Sequence, residues 1–300
     1  MTDPTRREFL RWGTAVTLVG GSGLVGEVLA ACGSTTSGPS GETTWQRVLR
    51  TKTVNVGVSN DNPQAYIQGT KLVGQVPDVL QATLVAQYGI STVVATVAEF
   101  GSMIPGLIAK RFDVIGAGML IKPARCKQVA FSNPDSDHPD YAVVHKGNPL
   151  GVHNFADVGR LNVRIAVTSG TAEQQYAVTA GASGSNLIVV PTDADQLAQL
   201  LSNRADLVLT FKPQAHRWVT DNPNALEIAQ PFTLLDPSTG KPYPNFAALA
   251  VRKEDTDFIA AYNQALSKII ADGTLAQIDN KYDFDLPGPN APTVEELCKG

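Results

Sequence analysis

Residues 163–209 read VRIAVTSGTAEQQYAVTAGASGSNLIVVPTDADQLAQLLSNRADLVL, a stretch in which strand-like and helix-like patterns alternate. Short runs of β-branched and apolar residues predict three strands, at residues 163–167, 187–190 and 207–209. One helix is predicted from about Thr171, and another from Thr192, because the acidic Asp195 follows three positions later as in a capping box. Alternating strands and helices are typical of an α/β fold.

A second series of strands and helices lies nearer the N-terminus. Its predicted strands are residues 54–58, 93–97 and 113–116. Its helices begin near Val76 and Ser102, and the first ends at Gly89, where the helical spacing of apolar residues stops. Toward the C-terminus, apolar residues at i, i+3, i+4 and i+7 predict a helix from Phe258 to Ile270. We expect this last helix to complete the first unit.

Two single extended runs lie outside the two series, at residues 141–149 and 246–251. Both are bounded by Pro or Gly, as expected of strands that cross from one lobe to another. The chain would therefore leave the first lobe once and return once. The predicted organisation is an export signal (1–31), a flexible tether (32–43), lobe 1 (44–145 and 246–286), lobe 2 (146–245) and a C-terminal tail (287–300).

Composition and charge exclude several functional classes. The 300 residues are 43% hydrophobic and 17% charged, which is sufficient for a globular core. With 24 Lys and Arg against 28 Asp and Glu, the formal net charge is −4, so nucleic acid is not an expected partner. The three cysteines, Cys32, Cys126 and Cys298, are too scattered for a zinc module, and neither a metal nor another cofactor is expected.

The N-terminal residues contain the three parts of an export signal. Arg6 and Arg7 form a basic head, residues 13–31 are almost uncharged, and small residues precede Cys32. The paired arginines resemble a twin-arginine signal, and Leu-Ala-Ala-Cys ending at Cys32 resembles a lipoprotein signal, whose cysteine is lipidated. We expect an exported protein, anchored by lipid to the outer face of the cytoplasmic membrane or periplasmic. The alternative is a transmembrane anchor, which Glu27 and the glycines of this segment disfavour.

Two segments of the mature chain resemble a known family. Residues 104–134 include the run KPARCKQVAFSNP (122–134), and residues 251–257 read VRKEDTD, with Asp-Gly-Thr at 272–274. They resemble the extracellular solute-binding proteins (family 3) of ABC importers, in the polar amino-acid group, and residues 104–134 are most similar to ectoine- and hydroxyectoine-binding proteins. The resemblance implies an α/β, two-lobed periplasmic-binding-protein fold, a clamshell with two crossover strands as its hinge. It also implies a monomer that delivers its ligand to ABC permease subunits.

The same resemblance implies a set of ligand-binding residues. Arg125 and backbone groups of Gly118 would hold a ligand carboxylate from lobe 1, since a planar guanidinium suits a carboxylate. Gly170 and Thr171 would hold it from lobe 2, where a helix N-terminus favours an anion. The full expected set for a small zwitterionic ligand is Asp61, Tyr66, Phe100, Gly118, Arg125, Gly170, Thr171 and Glu173. Within it, Asp61 and the aromatic residues would face the ligand cation.

Three positions depart from the patterns of related binders. Gln64 and Leu120 stand where ectoine binders carry cage aromatics, so the aromatic box is reduced to Phe100, helped by Tyr66. Phe211 stands near the position where amino-acid binders carry an aspartate for the α-ammonium. The expected ligand is therefore an ectoine-like compatible solute, a polar amino acid or another small zwitterion, and an ordinary L-α-amino acid is disfavoured.

Two further features leave alternatives open. Cys126 and Cys298 are the thiols left in the exported domain, and an oxidising compartment would allow them to pair. The alternative is one buried thiol and one in a frayed tail.

Residues 135–140 contain three aspartates and a histidine, but a run punctuated by prolines favours a solvated loop at the cleft rim over a metal site.

The leading interpretation is a receptor that binds its ligand and passes it to a permease. The same type of fold can also host enzymes, and a dehydratase acting on a small carboxylate would need a general acid or base, for which Asp61 or Glu173 is available. A ligand sensor without transport is a third class. Turnover of the bound ligand would distinguish an enzyme from a binding protein.

Overall fold

The structure is a computed structural model that describes residues 41–232, 234–236 and 239–299. The predicted export signal (1–31), the predicted lipidation residue Cys32 and most of the tether (32–43) lie outside the described residues. Within the described ranges, no helix is both long enough and apolar enough to cross a bilayer.

Strands and helices alternate along most of the described chain. The strands are β1 (Thr53–Val58), β2 (Tyr66–Gln68), β3 (Lys71–Val73), β4 (Thr92–Val97), β5 (Val114–Leu120), β6 (Ala130–Phe131), β7 (Ser136–Asp137), β8 (Asp140–His145), β9 (Ile165–Thr168), β10 (Leu187–Val190), β11 (Leu207–Phe211), β12 (Leu226–Ile228) and β13 (Phe246–Val251). The helices are α1 (Thr44–Thr51), α2 (Gln75–Leu80), α3 (Ala86–Tyr88), α4 (Met103–Ile108), α5 (Pro123–Cys126), α6 (Ala156–Arg160), α7 (Ala172–Thr179), α8 (Asp193–Leu201), α9 (Lys212–Asp221), α10 (Thr256–Ala271), α11 (Thr274–Lys281) and α12 (Val294–Lys299). A π-helical turn (Gln81–Val85) joins α2 to α3.

The strands form two main sheets, one in each lobe. The lobe 1 sheet has the order β4-β1-β5-β13-β6, with β7 also paired to β13. Its β1 is parallel to β4 and β5, whereas β13 is antiparallel to β5. The lobe 2 sheet has the order β10-β9-β11-β8-β12, and β8 is antiparallel to β11. The two-lobed α/β fold expected from the sequence is confirmed.

The chain crosses from lobe 1 to lobe 2 at His138 and Pro139. β7 pairs in the lobe 1 sheet, and the next strand, β8, already pairs with β11 and β12 in the lobe 2 sheet. The return segment runs beside the first crossing, because the N–H of His138 donates to the carbonyl of Asn245 at 2.8 Å. The lobe boundary predicted after residue 145 therefore lies too late in the chain, since β8 buries residues 142–144 within lobe 2.

Residues 135–140 are not the solvated loop that the sequence suggested. Asp135 and His138 are only 7% and 4% exposed. Burial raises the pKa of Asp135 to about 7 and lowers the pKa of His138 to about 3. Pro134 and Pro139 therefore flank a largely buried segment that leads from one lobe to the other, and not a surface turn. In the described part of the chain, no group of His, Cys, Asp and Glu side chains is arranged to hold a metal ion.

Each lobe has its own apolar core. In lobe 1, α10 buries Phe258 and Tyr262 against the sheet, and it is followed by Gly273 in the left-handed region with φ of 79°. The predicted C-terminal helix is therefore confirmed. The indole of Trp45 packs edge-on against the ring of Phe258, with centroids 5.2 Å apart. In lobe 2, Trp218 of α9 is almost completely buried.

The predicted C-terminal tail contains a helix that packs on lobe 1. Leu297 of α12 is buried in a cluster with Met103 and Val129. The next residue, Cys298, forms a disulfide with Cys126 of α5, with their Cα atoms 5.7 Å apart. The end of the chain is thus attached next to Arg125.

The disulfide should contribute strongly to the stability of the exported protein. The two cysteines are 172 residues apart in sequence, and the chain-entropy account gives up to about 5 kcal/mol for so long a loop, less any strain. We expect reductant to lower the unfolding temperature of the wild type, and a Cys126→Ser plus Cys298→Ser variant to be insensitive to reductant. Peptide mapping under non-reducing conditions checks the bond itself. Two alkylatable thiols at these positions in the native protein would contradict it.

Candidate functional site

A cleft between the two sheets contains most of the residues expected to bind a ligand. It encloses about 540 Å³, including its open mouth. The expected residues that line it are Asp61, Phe100, Gly118, Arg125, Thr171 and Glu173. Tyr66 does not belong to this lining among the described residues. It is the first residue of β2 in the small β2–β3 hairpin. Gly170 adjoins the lining through a hydrogen bond with Arg125.

The lining residues follow the ends of strands, which is where open α/β sheets bind ligands. In lobe 1, Asp61 follows β1, Phe100 follows β4, and Arg125 lies on α5 just after β5. In lobe 2, Thr171 caps α7 after β9, and Asp193 begins α8 after β10. Because the two lobes face each other, these five loops converge on one cavity.

Arg125 contacts both lobes. Its Nη1 donates to the carbonyl of Leu120 at 2.9 Å, and its Nη2 donates to the carbonyl of Gly170 in lobe 2 at 3.0 Å. The guanidinium also lies over the ring of Phe100, 5.3 Å from the centroid. Burial lowers the pKa of Arg125, and the carboxyl of Glu173 opposes that shift. Phe100 thus packs against the arginine, and one face of its ring is already in contact with a cation.

Arg217 and Gly170 make further contacts between the lobes. Arg217 of α9 donates from Nε to the carbonyl of Asn62 in lobe 1 at 3.2 Å. The backbone of Gly170 packs against Gly101, so a Cβ at Gly170 would lie 2.6 Å from the Cα of Gly101. Gly170 also has φ of 78°, a conformation that side chains disfavour. A glycine at position 170 is therefore required for the lobes to meet in this way.

The polar groups of Gly170 and Thr171 at the start of α7 make hydrogen bonds within lobe 2 and to Arg125. The N–H of Gly170 donates to Oε1 of Gln174 at 2.8 Å. The hydroxyl of Thr171 donates to the carbonyl of Thr168 at 2.8 Å and accepts from the N–H of Gln174. The carbonyl of Gly170 accepts a hydrogen bond from Arg125. The turn at Gly170 and Thr171 therefore lies beside Arg125, and the side chain of Thr171 caps α7.

Two carboxyl groups from opposite lobes lie near each other in another part of the cleft. Burial raises the pKa of Asp61 to about 8, the charge of Asp193 adds to this rise, and Arg217 opposes it. Burial likewise raises the pKa of Asp193, which accepts a hydrogen bond from the hydroxyl of Thr168 at 2.5 Å. Closing an empty cleft over these two carboxyls is therefore unfavourable while both are ionised.

Glu173 lies between the cleft and the hinge. Burial raises the pKa of Asp140 well above its usual value, and the neighbouring Glu173 carboxyl raises it further. Asp140 accepts a hydrogen bond from the side chain of Asn245 at 2.5 Å, next to the return crossing. Lys122 donates to the same Asn245 at 2.9 Å, and burial lowers the pKa of this lysine to about 8. These groups connect the back of the cleft to the two crossing segments.

Sequence reasoning missed several lining residues of lobe 2. Thr168, Asp193 and Gln196 all line the cleft, at the ends of β9 and β10 and on α8. Their position after strand ends is the signal that could have identified them. The three residues that differ from the patterns of related binders also line the cleft. They are Gln64, Leu120 and Phe211. The ring of Phe211 packs against His138 and Phe284, with centroids 5.5 Å and 5.9 Å away.

Comparison with known proteins identifies relatives over most of the chain. Residues 54–285 match the bacterial extracellular solute-binding proteins, family 3. A probable amino-acid ABC transporter periplasmic-binding protein, y4tE of Sinorhizobium fredii, is 30% identical over 267 residues, which cover 86% of this chain and 87% of that protein. A putative arginine-binding protein of an Escherichia coli ABC transporter is 32% identical over 186 residues, covering 61% of this chain and 71% of that protein.

Solved structures show the same fold. EhuB in complex with hydroxyectoine has a TM-score of 0.76 and 29% identity, covering 85% of this chain and 97% of that one. An ancestral arginine-binding protein bound to glutamine has a TM-score of 0.67 and 28% identity, covering 77% and 97%. An ancestral amino-acid-binding protein that is a precursor of cyclohexadienyl dehydratase shares the fold at 23% identity.

Protonation of the acidic pair should favour closing of the ligand-free cleft. The closed form raises the pKa of Asp61 to about 8, so it binds more protons than an open form in which this side chain is solvated. We therefore expect the closed population to decrease as the pH rises from 6 to 9. The radius of gyration of the ligand-free protein, measured by small-angle X-ray scattering, should increase over this range.

Asp61→Asn should weaken this pH dependence and leave the ligand-free protein more compact at pH 9. Asp272→Asn is a matched control, because Asp272 is exposed in the turn after α10 and does not line the cleft. A radius of gyration that is independent of pH in the wild type, or equally dependent in Asp61→Asn, would refute this role of the pair.

Proposed function

The chain belongs to the bacterial extracellular solute-binding proteins of family 3, extracytoplasmic components of ABC importers, and we propose that its ligand is one small zwitterion enclosed between the lobes. The observation that carries the proposal is the charge arrangement of the cleft. The lining contains the guanidinium of Arg125 and the carboxyl groups of Asp61 and Asp193, and the charge of Asp193 raises the pKa of Asp61. A ligand with a carboxylate and a separate cationic group complements both.

Arg125 is proposed to hold the ligand carboxylate. Of the five N–H groups of a guanidinium, two donate to carbonyl oxygens among the described residues, at Leu120 and Gly170. The remaining N–H groups are sufficient for the bidentate pairing that guanidinium and carboxylate prefer. Because arginine keeps its charge even when it is buried, an anionic partner in the closed cleft is strongly favoured.

The ligand cation is proposed to lie against Asp61 and Asp193. Phe211 lies near the position at which amino-acid binders are expected to carry a carboxylate, and the lining offers Asp61 and Asp193 as carboxyls for the cation. Glu173 also lines the cleft, and its charge acts on both Arg125 and Asp193. Of the relatives named above, one is a putative arginine-binding protein, and two solved structures hold hydroxyectoine and glutamine. Such ligands combine a carboxylate with a cationic group, which supports the same class here.

The relatives are binding proteins of ABC transporters, which supports binding without turnover for this chain as well. A dehydratase would need a positioned general acid or base. The carboxyls available for that role, Asp61 and Glu173, are instead proposed to serve ligand recognition and the hinge. The partners of the loaded protein are then the membrane subunits of an importer, and the receptor is proposed to act as a monomer.

The protein is also proposed to be anchored by lipid outside the cytoplasmic membrane. This part rests on the sequence alone: the twin-arginine head and the Leu-Ala-Ala-Cys motif that ends at Cys32. The Ser/Thr/Gly-rich residues 33–42 would then tether the binding domain to the lipid.

Replacement of Arg125 tests the ligand site. A thermal-shift screen of amino acids, betaines and ectoines first identifies a ligand, since saturation at 100 times Kd adds about 2.7 kcal/mol of stability. Arg125→Ala should then weaken binding by about 30-fold to several thousand-fold, because truncating a buried charge pair costs about 2–5 kcal/mol. Arg125→Lys should restore part of the affinity, since an ammonium lacks the fork of donors.

Isothermal titration gives the dissociation constants, and mass spectrometry of the released ligand shows whether it is recovered unchanged. Arg111→Ala is a matched control, because Arg111 is exposed in lobe 1 and does not line the cleft. Equal affinities of Arg125→Ala and the wild type would show that the ligand does not bind through this arginine.

Replacement of Cys32 tests the lipid anchor. Cys32→Ala should release the protein from membranes or leave an unprocessed precursor, while the purified binding domain keeps its ligand affinity. Membrane fractionation and intact-mass measurement of the exported protein provide the readout. A wild-type protein that is soluble, unlipidated and cleaved elsewhere would refute the anchor.

A further inference from the structure

Gln64 presents an unpartnered hydrogen-bond acceptor to the cleft. Its side chain is only 2% exposed, and it lines the same cavity as Asp61 and Asp193. Among the described residues, its Oε1 atom has no hydrogen-bond partner. A buried acceptor without a partner is costly, so a donor supplied by a bound ligand would stabilise the closed form.

A chain of hydrogen bonds fixes the direction in which the Gln64 amide points. Its Nε2 donates to Oε1 of Gln75 at 3.0 Å, and Nε2 of Gln75 donates to Oδ1 of Asp279 at 2.9 Å. Because the side-chain N–H of Gln75 donates to the carboxyl of Asp279, the side-chain oxygen of Gln75 is the atom that accepts from Gln64. The oxygen of Gln64 is then left without a partner beside Gly118, a residue of the cleft lining. Gln75 and Asp279 are both fully buried and serve as positioning residues for this oxygen.

The backbone of lobe 1 also restricts this amide. Gly118, at the edge of the cleft, has φ of 57°, and a Cβ there would lie 2.7 Å from Oε1 of Gln64. On its other side, the same Cβ would lie 2.9 Å from the ring of His138. The side chain of Gln64 therefore occupies the space that a larger residue at position 118 would need. Its acceptor is held in place by packing as well as by hydrogen bonds.

We propose that Gln64, together with Asp61 and Asp193, forms a subsite that selects ligands whose cation carries N–H donors, such as an ammonium, amidinium or guanidinium, and rejects quaternary ammonium groups. The proposal rests on the proposed function, in which the cleft binds a zwitterion. It adds the chemical class of the cation. It also gives Gln64 a role in specificity at a position where the related ectoine binders are expected to carry an aromatic residue.

The chemistry of the subsite favours N–H donors for two reasons. Quaternary ammonium groups are recognised by cages of aromatic faces, and they offer no donor. In the described lining, one face of the Phe100 ring is taken by Arg125, and Phe211 packs against His138 and Phe284. A trimethylated cation would in addition leave Oε1 of Gln64 buried without a partner, and sites built around such a group discriminate strongly against ligands that lack the donor.

Matched pairs of ligands that differ only in N-methylation test the proposal with the exported protein. Suitable pairs are 4-aminobutyrate with 4-trimethylammoniobutyrate, glycine with glycine betaine, and β-alanine with its N-trimethyl derivative, each measured by isothermal titration. In every pair that binds, the N–H member should bind about tenfold more tightly or better, as expected for a hydrogen bond to a charged donor. Gln64→Met, of similar size but without an acceptor, should weaken the N–H member by about tenfold and reduce the ratio.

Gln128→Met is the matched control, because Gln128 is exposed in lobe 1 and does not line the cleft, and its ratio should equal that of the wild type. Unfolding of the ligand-free variants reports whether Gln64→Met still folds, and if it does not, the wild-type ratio alone decides. Equal or tighter binding of a trimethylated member would overturn the proposal. So would a ratio that is unchanged in a folded Gln64→Met.

The outcome separates this inference from the proposed function. A quaternary ammonium ligand that binds tightly and depends on Arg125 would refute the selection for N–H donors and leave the zwitterion site intact. Binding that is insensitive to Arg125→Ala would refute the site itself. If none of the six compounds binds, the cation of a screened compound that binds through Arg125 decides: a cation with N–H donors supports the proposed class, and a cation without N–H donors refutes it.

Discussion

The hydrogen bonds of the Arg125 guanidinium link the two lobes across the cleft. The guanidinium donates to a carbonyl in lobe 1 and to a carbonyl in lobe 2, so the same charge is shared by both sides of the cleft. A buried arginine cannot lose its proton to escape desolvation, and it must find acceptors. Two carbonyl oxygens accept hydrogen bonds from the guanidinium, and the charge of the nearby Glu173 carboxyl favours its protonated form. A ligand carboxylate would provide the remaining acceptors, which couples closing of the lobes to binding.

The carboxyl groups impose the opposite requirement on the same cleft. Asp61 comes from lobe 1 and Asp193 from lobe 2, so they approach each other only when the lobes close. Their mutual repulsion and burial oppose closing of the empty protein, and a ligand cation between them would remove this cost. The closed form is thus stabilised when charges of both signs are matched at once. This is the physical basis for preferring a zwitterion over a simple anion or cation.

Much of the fold could be predicted from local patterns. The strand at residues 187–190 has the expected limits and the helix that Thr192 caps begins where expected, because a short run rich in β-branched residues favours a strand and a capping side chain favours a helix start. Residues 135–140 were misinterpreted, because acidic residues and prolines indicate a surface loop when only neighbours in sequence are considered. In the structure their exposure is set by β13 and by Phe211 and Phe284, all more than 70 residues later in the chain.

The sequence by itself determined the α/β class, the two-lobed organisation and, through family resemblance, that Asp61, Phe100, Gly118 and Arg125 would line one site, as they do in the cleft. These features depend on short-range periodicity or on motifs that stay within one segment. Only the tertiary structure decided which groups face each other across the cleft. It brought Asp193 near Asp61, packed Phe100 against Arg125, and oriented the amide of Gln64 through Gln75 and Asp279. Gln64 and Asp279 are more than 200 residues apart in sequence, and a hydrogen bond or a shift in pKa depends on distance in space, which spacing along the chain does not specify.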